Sequence, residues 1–403
     1  MLIGIVGKPS SGKSTFLNAA CLTSSKVGDY PFTTIKPVPG TGYVRIPCAC
    51  KDLDVKCNPQ NSLCIDGIRL VPVPMLDVAG LVPDAWKGRG LGNQLLDDLR
   101  RADVLIHVID FSGSLDADGN NVKRGSYDPE KDIEFLEFEV VKWMEEILKK
   151  DWMKISRTAE AEKVPIDKIL AEKLAGLQIK QRHIKQALTK AKVNVSLPTR
   201  WSEEELLTFL KALRETSKPM IFAANKIDVE GASDNFQRLK ENLGDDLIPC
   251  SALAEYFLRK YAENEIISYT PGDHDFTILK HDKLSEKDTT TLEKVRSNIL
   301  QKFGSTGIQA LINRAVFDIL DVIAVYPVED QHKLTDHKGN VLPDVYLIPR
   351  GTTAREFAGM IHQDLAKSFI NAILVKGQKR VGEDYELQDG DILKINAAER
   401  LKS

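Results

Sequence analysis

Short apolar runs that end in polar turns recur along the chain at Met1–Val6, Val71–Leu76, Val104–Asp110, Pro219–Ala224 and Leu247–Pro249. Runs this short, apolar at consecutive rather than alternate positions, mark strands buried on both faces, as in a parallel sheet covered by helices. They predict an α/β fold, a doubly wound sheet. From about residue 128 to 216 the period lengthens, with Ile133, Leu136, Val140, Trp143 and Met144 three or four apart, which predicts helices. The strand pattern resumes at Pro219, so 128–216 reads as a helical insertion into one domain made of 1–127 and 217–321. Thr289–Phe303 and Gly307–Leu320 read as helices broken at Gly304-Ser305-Thr306-Gly307. From Val322 to Ser403 a separate small domain follows: strands at Ile323–Tyr326 and Val345–Ile348, then a helix that Thr352 or Thr353 would cap and that would run to Ser368.

The chemistry sits where the strands end. Gly7-Lys8-Pro9-Ser10-Ser11-Gly12-Lys13-Ser14-Thr15 follows the first strand and opens a helix, the strand–loop–helix context of a phosphate-binding loop. Glycines let backbone N–H groups approach the α- and β-phosphates at the positive end of the helix dipole. Lys13 would reach the β- and γ-phosphates and the Ser14 hydroxyl would hold Mg²⁺. The strand at Pro219 ends in Asn225-Lys226-Ile227-Asp228, where the Asp228 carboxylate can accept both N1–H and the exocyclic amine of guanine. The Lys226 stem can cover the ring, Asn225 would tie this loop to the phosphate loop, and Cys250-Ser251-Ala252-Leu253 offers backbone amides for guanine O6. After Val71–Leu76 comes Asp77-Val78-Ala79-Gly80, with Asp77 expected to orient Mg²⁺ through water and the Gly80 amide to sense the γ-phosphate. Three motifs in this order predict a GTP/GDP site.

These residues resemble the Obg family of GTPases. Tyr30-Pro31-Phe32-Thr33-Thr34-Ile35 is similar to the family's first switch, and Asp77 to Pro83 with Gly88-Arg89-Gly90-Leu91-Gly92-Asn93 to its glycine-rich second switch. The resemblance implies that Thr34 is a γ-phosphate and Mg²⁺ sensor, with Thr33 as the alternative. The chain resembles most a YchF-related archaeal and fungal branch that keeps the guanine motif. Its C-terminal segment resembles a TGS domain, a ubiquitin-like β-grasp module, which implies a docking partner of the ribosome or RNA class. Leu81 stands where Ras-like enzymes place a water-orienting Gln and has no hydrogen-bonding group, so slow unassisted hydrolysis is expected. Ser10 occupies the position of the Asn that holds K⁺ in some such enzymes, which argues against a potassium mechanism. The readings are a GTP-hydrolysing switch on the ribosome, or a nucleotide-gated protein–protein adaptor with incidental hydrolysis.

Composition adds limits. A net charge of −3 excludes a globally basic nucleic-acid binder but not a local basic face. Lys163, Lys168, Lys173, Lys180, Arg182, Lys185, Lys190 and Lys192 form one such stretch, read either as a solvated helical face or as a phosphate-contacting one. No apolar run nears the roughly 20 residues of a membrane helix, and Met1 leads directly into a strand, so a cytoplasmic chain with no membrane partner is expected. Four of the six cysteines, Cys48, Cys50, Cys57 and Cys64, fall in one short polar segment. They could ligate Zn²⁺, remain reduced thiols, or pair as disulfides. Cys21, Cys250 and His107 read as core residues. The oligomeric state is not legible.

Overall fold

The computed structural model describes residues 1–21, 40–78 and 98–398. Ile3–Val6 (β1), Gly40–Pro47 (β2), Leu63–Ile65 (β3), Ile68–Asp77 (β4), Val104–Asp110 (β5), Met220–Asn225 (β6) and Leu247–Pro249 (β7) form a mixed seven-stranded sheet. Its order is β2-β4-β1-β5-β6-β7, with β3 on β4; the β4–β1, β1–β5, β5–β6 and β6–β7 pairs are parallel and the β3–β4 pair is antiparallel. Every residue of β1 and β5 is buried, which explains why these strands read as unbroken apolar runs.

The described residues divide into two compact units, one of residues 1–21, 40–42, 74–78 and 98–311 and one of 43–73 and 312–398. In the first, the segment after β5 forms the helices Glu130–Lys149, Trp152–Ala161, Ile166–Leu174, Gln181–Ala191 and Glu203–Ser217. Their apolar faces do not build a core of their own. Leu136, Val140, Met144, Leu170, Leu210 and Leu213 join Val6, Leu76 and Leu105 of the sheet in one continuous cluster. Trp152 and Trp201 stack at its heart with ring centroids 5.2 Å apart, and the Trp201 indole donates to the Asn194 carbonyl at 2.8 Å. Ser202 caps Glu203–Ser217 in a reciprocal capping box with Glu205. Lys173 pairs with Asp151, Lys185 with Asp167 and Lys190 with Glu215, so part of the basic stretch is neutralised by acids on adjacent helices. A short hairpin, Ile267–Ser268 (β8) with Thr277–Ile278 (β9), follows the helix Ala252–Glu263. The next helix, Glu286–Val295, continues through a π turn to Phe303 and stops at left-handed Gly304, as its sequence implies.

In the second unit, Val322–Val328 (β10), Tyr346–Pro349 (β11), Phe369–Leu374 (β12), Lys379–Val381 (β13) and Ile392–Ala397 (β14) make a sheet of order β11-β10-β14-β12-β13. The β10–β14 pair is parallel and the others are antiparallel, the β-grasp arrangement. Phe357 from the helix Ala354–Ile361 fills the core, edge-on to Tyr346 at 5.5 Å. Thr353 is the cap, accepting from the Glu356 amide at 3.3 Å. The helix does not run on to Ser368. His362 is extended, at φ −158°, and its ring caps a second helix, Gln363–Lys367.

Candidate functional site

The phosphate loop joins β1 to the helix Lys13–Cys21. Gly12 has φ +103°, and a Cβ there would stand 2.3 Å from the Asn225 amide nitrogen, so only glycine fits. Ser10 is also left-handed, at φ +63°, a strain of about 1 kcal/mol that the closed loop holds in place. The Lys13 ammonium donates to the Lys8 carbonyl at 3.1 Å. Burial pulls its pKa below the ordinary lysine value against the opposing charge of Asp77. Burial likewise pushes Asp77 up, opposed by Lys13 and by a hydrogen bond with the Ser14 side chain.

Lys8, read from the sequence as a nucleotide-binding position of this loop, turns its side chain to a buried ion pair instead. It is 3% exposed, and its ammonium reaches the Asp132 carboxylate at 2.9 Å and the Leu115 carbonyl at 3.0 Å, above the Tyr127 ring at 3.9 Å. The phosphate loop is thereby anchored to the start of the helix Glu130–Lys149. Nothing in the motif pattern marks Asp132 as its partner, because the pairing spans 124 positions.

The second wall comes from β6 and β7. Asn225, 3% exposed, donates from Nδ2 to the Ser11 carbonyl at 2.9 Å and accepts at Oδ1 from the Ala252 amide at 3.1 Å. One side chain therefore joins the phosphate loop, the Asn-Lys-x-Asp loop and the loop after β7. Lys226 is left-handed, at φ +60°, with its ammonium 3.1 Å from Asp110. The Asp110 carboxylate also accepts from Ser112 and Ser114, and despite burial these bonds and Lys226 hold its pKa below the usual carboxylate value. Asp228 is exposed and has no hydrogen bond or ion pair among the described residues.

Two of the expected amides are engaged. The Ser251 N–H donates to the Thr306 carbonyl at 2.9 Å and the Ala252 N–H to Asn225, which leaves Leu253, exposed in the first helical turn, as the amide available to a ligand. Thr306 also donates to buried Glu255, which accepts from Tyr269 as well. Gly307 allows this approach: at φ +86°, its Cβ would fall 1.9 Å from the Pro249 carbonyl. Gly7, Pro9, Ser11 and Thr15 complete the loop, with Ser11 fully buried and its hydroxyl without a hydrogen-bond partner among the described residues. Thr33, Thr34, Gly80 and Leu81 lie outside the described residues.

The donor set suits Mg²⁺. Ser14 and Asp77 are adjacent, and Asp77 Oδ1 is buried with no hydrogen-bond partner among the described residues. A buried acceptor left empty calls for a cation or its water.

Three family models match: a 50S ribosome-binding GTPase over residues 2–153, the G4 motif-containing domain of the Obg-like GTPase YGR210-like over 223–330, and a TGS domain over 334–397. A GTP-binding protein of Methanocaldococcus jannaschii is 48% identical over 398 residues, covering 98% of this chain and 99% of the relative. The chain belongs to the YchF/Obg-like GTPase family. Another member, a GTP-binding protein of Schizosaccharomyces pombe, is 36% identical and covers 92% of both chains. The crystal structure of a GTP-binding protein from Pyrococcus horikoshii superposes with a TM-score of 0.77 at 38% identity, covering 99% of this chain and 100% of that one. More distant members are named ribosome-binding ATPase YchF, among them that of Bacillus subtilis at 26% identity over 97% of both chains.

Beneath the family's phosphate loop, His107 is buried on β5 beside Val6. Burial, reinforced by the charges of Lys13 and Lys8, lowers its pKa to about 3. Cys250 is fully buried and Cys21 half-buried. The four clustered cysteines do converge, their sulfurs all within 4.8 Å of one another, and none is in a disulfide. No helix among the described residues is long and apolar enough to cross a membrane.

Proposed function

We propose that the chain is a GTP-hydrolysing switch that acts on the ribosome or its RNA and cycles between GTP and GDP. The observation that carries the GTP reading is Asp228, an exposed carboxylate without a partner among the described residues, on a loop that Asn225 fastens to the phosphate loop. It would accept the N1–H and amine of guanine, a donor pair that adenine lacks. Lys226 would cover the ring face and the Leu253 amide would meet O6. Lys13 would neutralise the β- and γ-phosphates, the Gly80 amide would sense the γ-phosphate, and Ser14, Thr34 and Asp77 would hold Mg²⁺. Bound there, Mg²⁺ would offset charge on the β- and γ-oxygens. The ribosome reading, and with it a cytoplasmic location, draws support from the names of the YchF relatives and from the β-grasp unit. The sequence position of Leu81 favours a second reading, a nucleotide-gated protein–protein adaptor whose hydrolysis is incidental.

Titration with GTP, ATP and XTP tests the base. A lost bidentate pair is worth about 1–3 kcal/mol, so GTP should bind roughly 5- to 150-fold more tightly than ATP. Asp228→Asn should turn the preference toward XTP; equal binding of GTP and ATP by the wild type sinks the guanine assignment. Sedimentation with ribosomes in a salt series, with a non-hydrolysable GTP analogue or GDP, tests the switch. Analogue-dependent pelleting that falls steeply with salt is expected. Pelleting indifferent to nucleotide, or none, would leave the adaptor.

A further inference from the structure

Cys48 and Cys50 bracket the first residue of a one-turn helix, Ala49–Asp52, Cys57 lies in the loop beyond it, and Cys64 is on β3. The Cys48–Cys57 and Cys50–Cys64 sulfur pairs stand 3.9 Å apart. A disulfide needs about 2.05 Å, whereas four sulfurs each about 2.3 Å from a central zinc ion lie about 3.8 Å from one another. We propose that Cys48, Cys50, Cys57 and Cys64 form a closed, structural Zn²⁺ site that fixes the 48–67 hairpin to the β-grasp domain.

A second observation points the same way. Arg69 is 0% exposed, and no carboxylate lies within 4.0 Å of its guanidinium among the described residues. Nη2 donates to the Leu342 carbonyl at 2.5 Å, Nη1 lies 3.9 Å from Cys48 Sγ, and Nε is buried without a hydrogen-bond partner among the described residues. A buried cation needs a counter-charge. Four thiolates around a dication carry a net charge of −2 and place it against this guanidinium. The hairpin also has little apolar interior of its own: Val55 and Leu63 are only half-buried and Ile65 is exposed. Metal ligation is how so small a unit holds its shape.

The ligands flank the docking segment. Between Cys57 and Cys64, Asn58 donates its amide to the Val341 carbonyl at 2.8 Å, Gln60 to Pro343 at 2.7 Å, and the Asn61 side chain exchanges two bonds with the Val345 backbone at 2.9 and 3.1 Å. The ion would close this clasp at both ends. All four coordination positions are protein sulfurs, which leaves none for a substrate and marks the site as structural.

Metal analysis of the full chain, purified without added metal, decides the matter. About one zinc per chain is expected, absent in Cys57→Ser and Cys64→Ser and retained in the control Cys21→Ser. Should those variants fail to fold, wild-type protein suffices. Replacement by Co²⁺ should give the visible bands of a tetrahedral thiolate site, and a mercurial should release one zinc. On release, amides at 58–61 and 341–345 should exchange faster while nucleotide affinity stays within about twofold. Metal-free protein with four thiols reactive in the native state, iron in place of zinc, a disulfide within the cluster, or unchanged exchange after release would each overturn the proposal.

Discussion

Asn225→Ala removes the one side chain that bonds both the phosphate loop and the loop after β7. The Ser11 carbonyl and the Ala252 amide, now at 2.9 and 3.1 Å from the carboxamide, would lose their partners in a site where Asn225 is 3% exposed. A buried group left unsatisfied costs about 1–3 kcal/mol. The vacated space borders Gly12, which has no side chain to fill it, so water can enter and the lower part of that range applies. We expect about 2–4 kcal/mol in all, of which about 2 kcal/mol is lost folding stability. The rest, up to about 2 kcal/mol, is lost register between the phosphate loop and the Asn-Lys-x-Asp loop, a fall in GDP affinity of about tenfold and at most about thirtyfold. By calorimetry the melting point should drop by about 4 °C or more. Asn225→Asp should be worse, since it keeps the acceptor for Ala252 but turns a carboxylate on the Ser11 carbonyl. If Asn225→Ala melts within a degree of wild type and binds GDP as tightly, the bridging role is wrong.

Three further outcomes follow from the geometry. His107, with a folded pKa of about 3 against about 6.5 unfolded, contributes stability that is present above pH 6.5 and is lost as pH falls toward 3. Denaturant titrations should show about 2 kcal/mol lost between pH 6.5 and 5 that is absent in His107→Leu; parallel losses in both proteins would refute this. Gly307→Ala should cost about 3 kcal/mol or more, because its Cβ meets the Pro249 backbone in a left-handed conformation, and a melting point unchanged by calorimetry would contradict that packing. Lys8→Met should destabilise by about 3–5 kcal/mol by leaving Asp132 buried and unpaired, and adding Asp132→Leu should recover much of it; additive losses in the double-mutant cycle would show that the pair is not coupled.

The strands and phosphate-binding motifs were legible because each motif is local, a few residues after an unbroken apolar run. What was hidden depends on long-range pairing. Lys8 and Asp132, or Arg69 and the Leu342 carbonyl, carry no joint signal along the chain. The engagement of the Ser251 amide by Thr306 likewise needs Gly307 to bring a distant turn against Pro249. The cysteines looked ambiguous because their spacing matches no familiar knuckle; the turn at Gly67 and the β3–β4 pairing fold the segment back on itself. At His362 no Gly or Pro marks the break, and Gly359 sits inside the first helix, yet the His362 ring caps a new helix, an option that polar side chains offer wherever they compete for the backbone.

The stacked indoles give the molecule an optical reporter. Trp143, Trp152 and Trp201, three of the four tryptophans, sit in the cluster shared by the sheet and the helices between β5 and β6, with the latter two in ring contact, while Trp86 lies outside the described residues. Near-ultraviolet circular dichroism should therefore carry an exciton-like signature of this one locus, and emission should shift red when it opens. In a Trp86→Phe background such a signal follows the helices between β5 and β6 rather than the Asn-Lys-x-Asp loop or the β-grasp unit. An emission-detected melt and a far-ultraviolet melt that fail to coincide would then resolve two separate cooperative transitions.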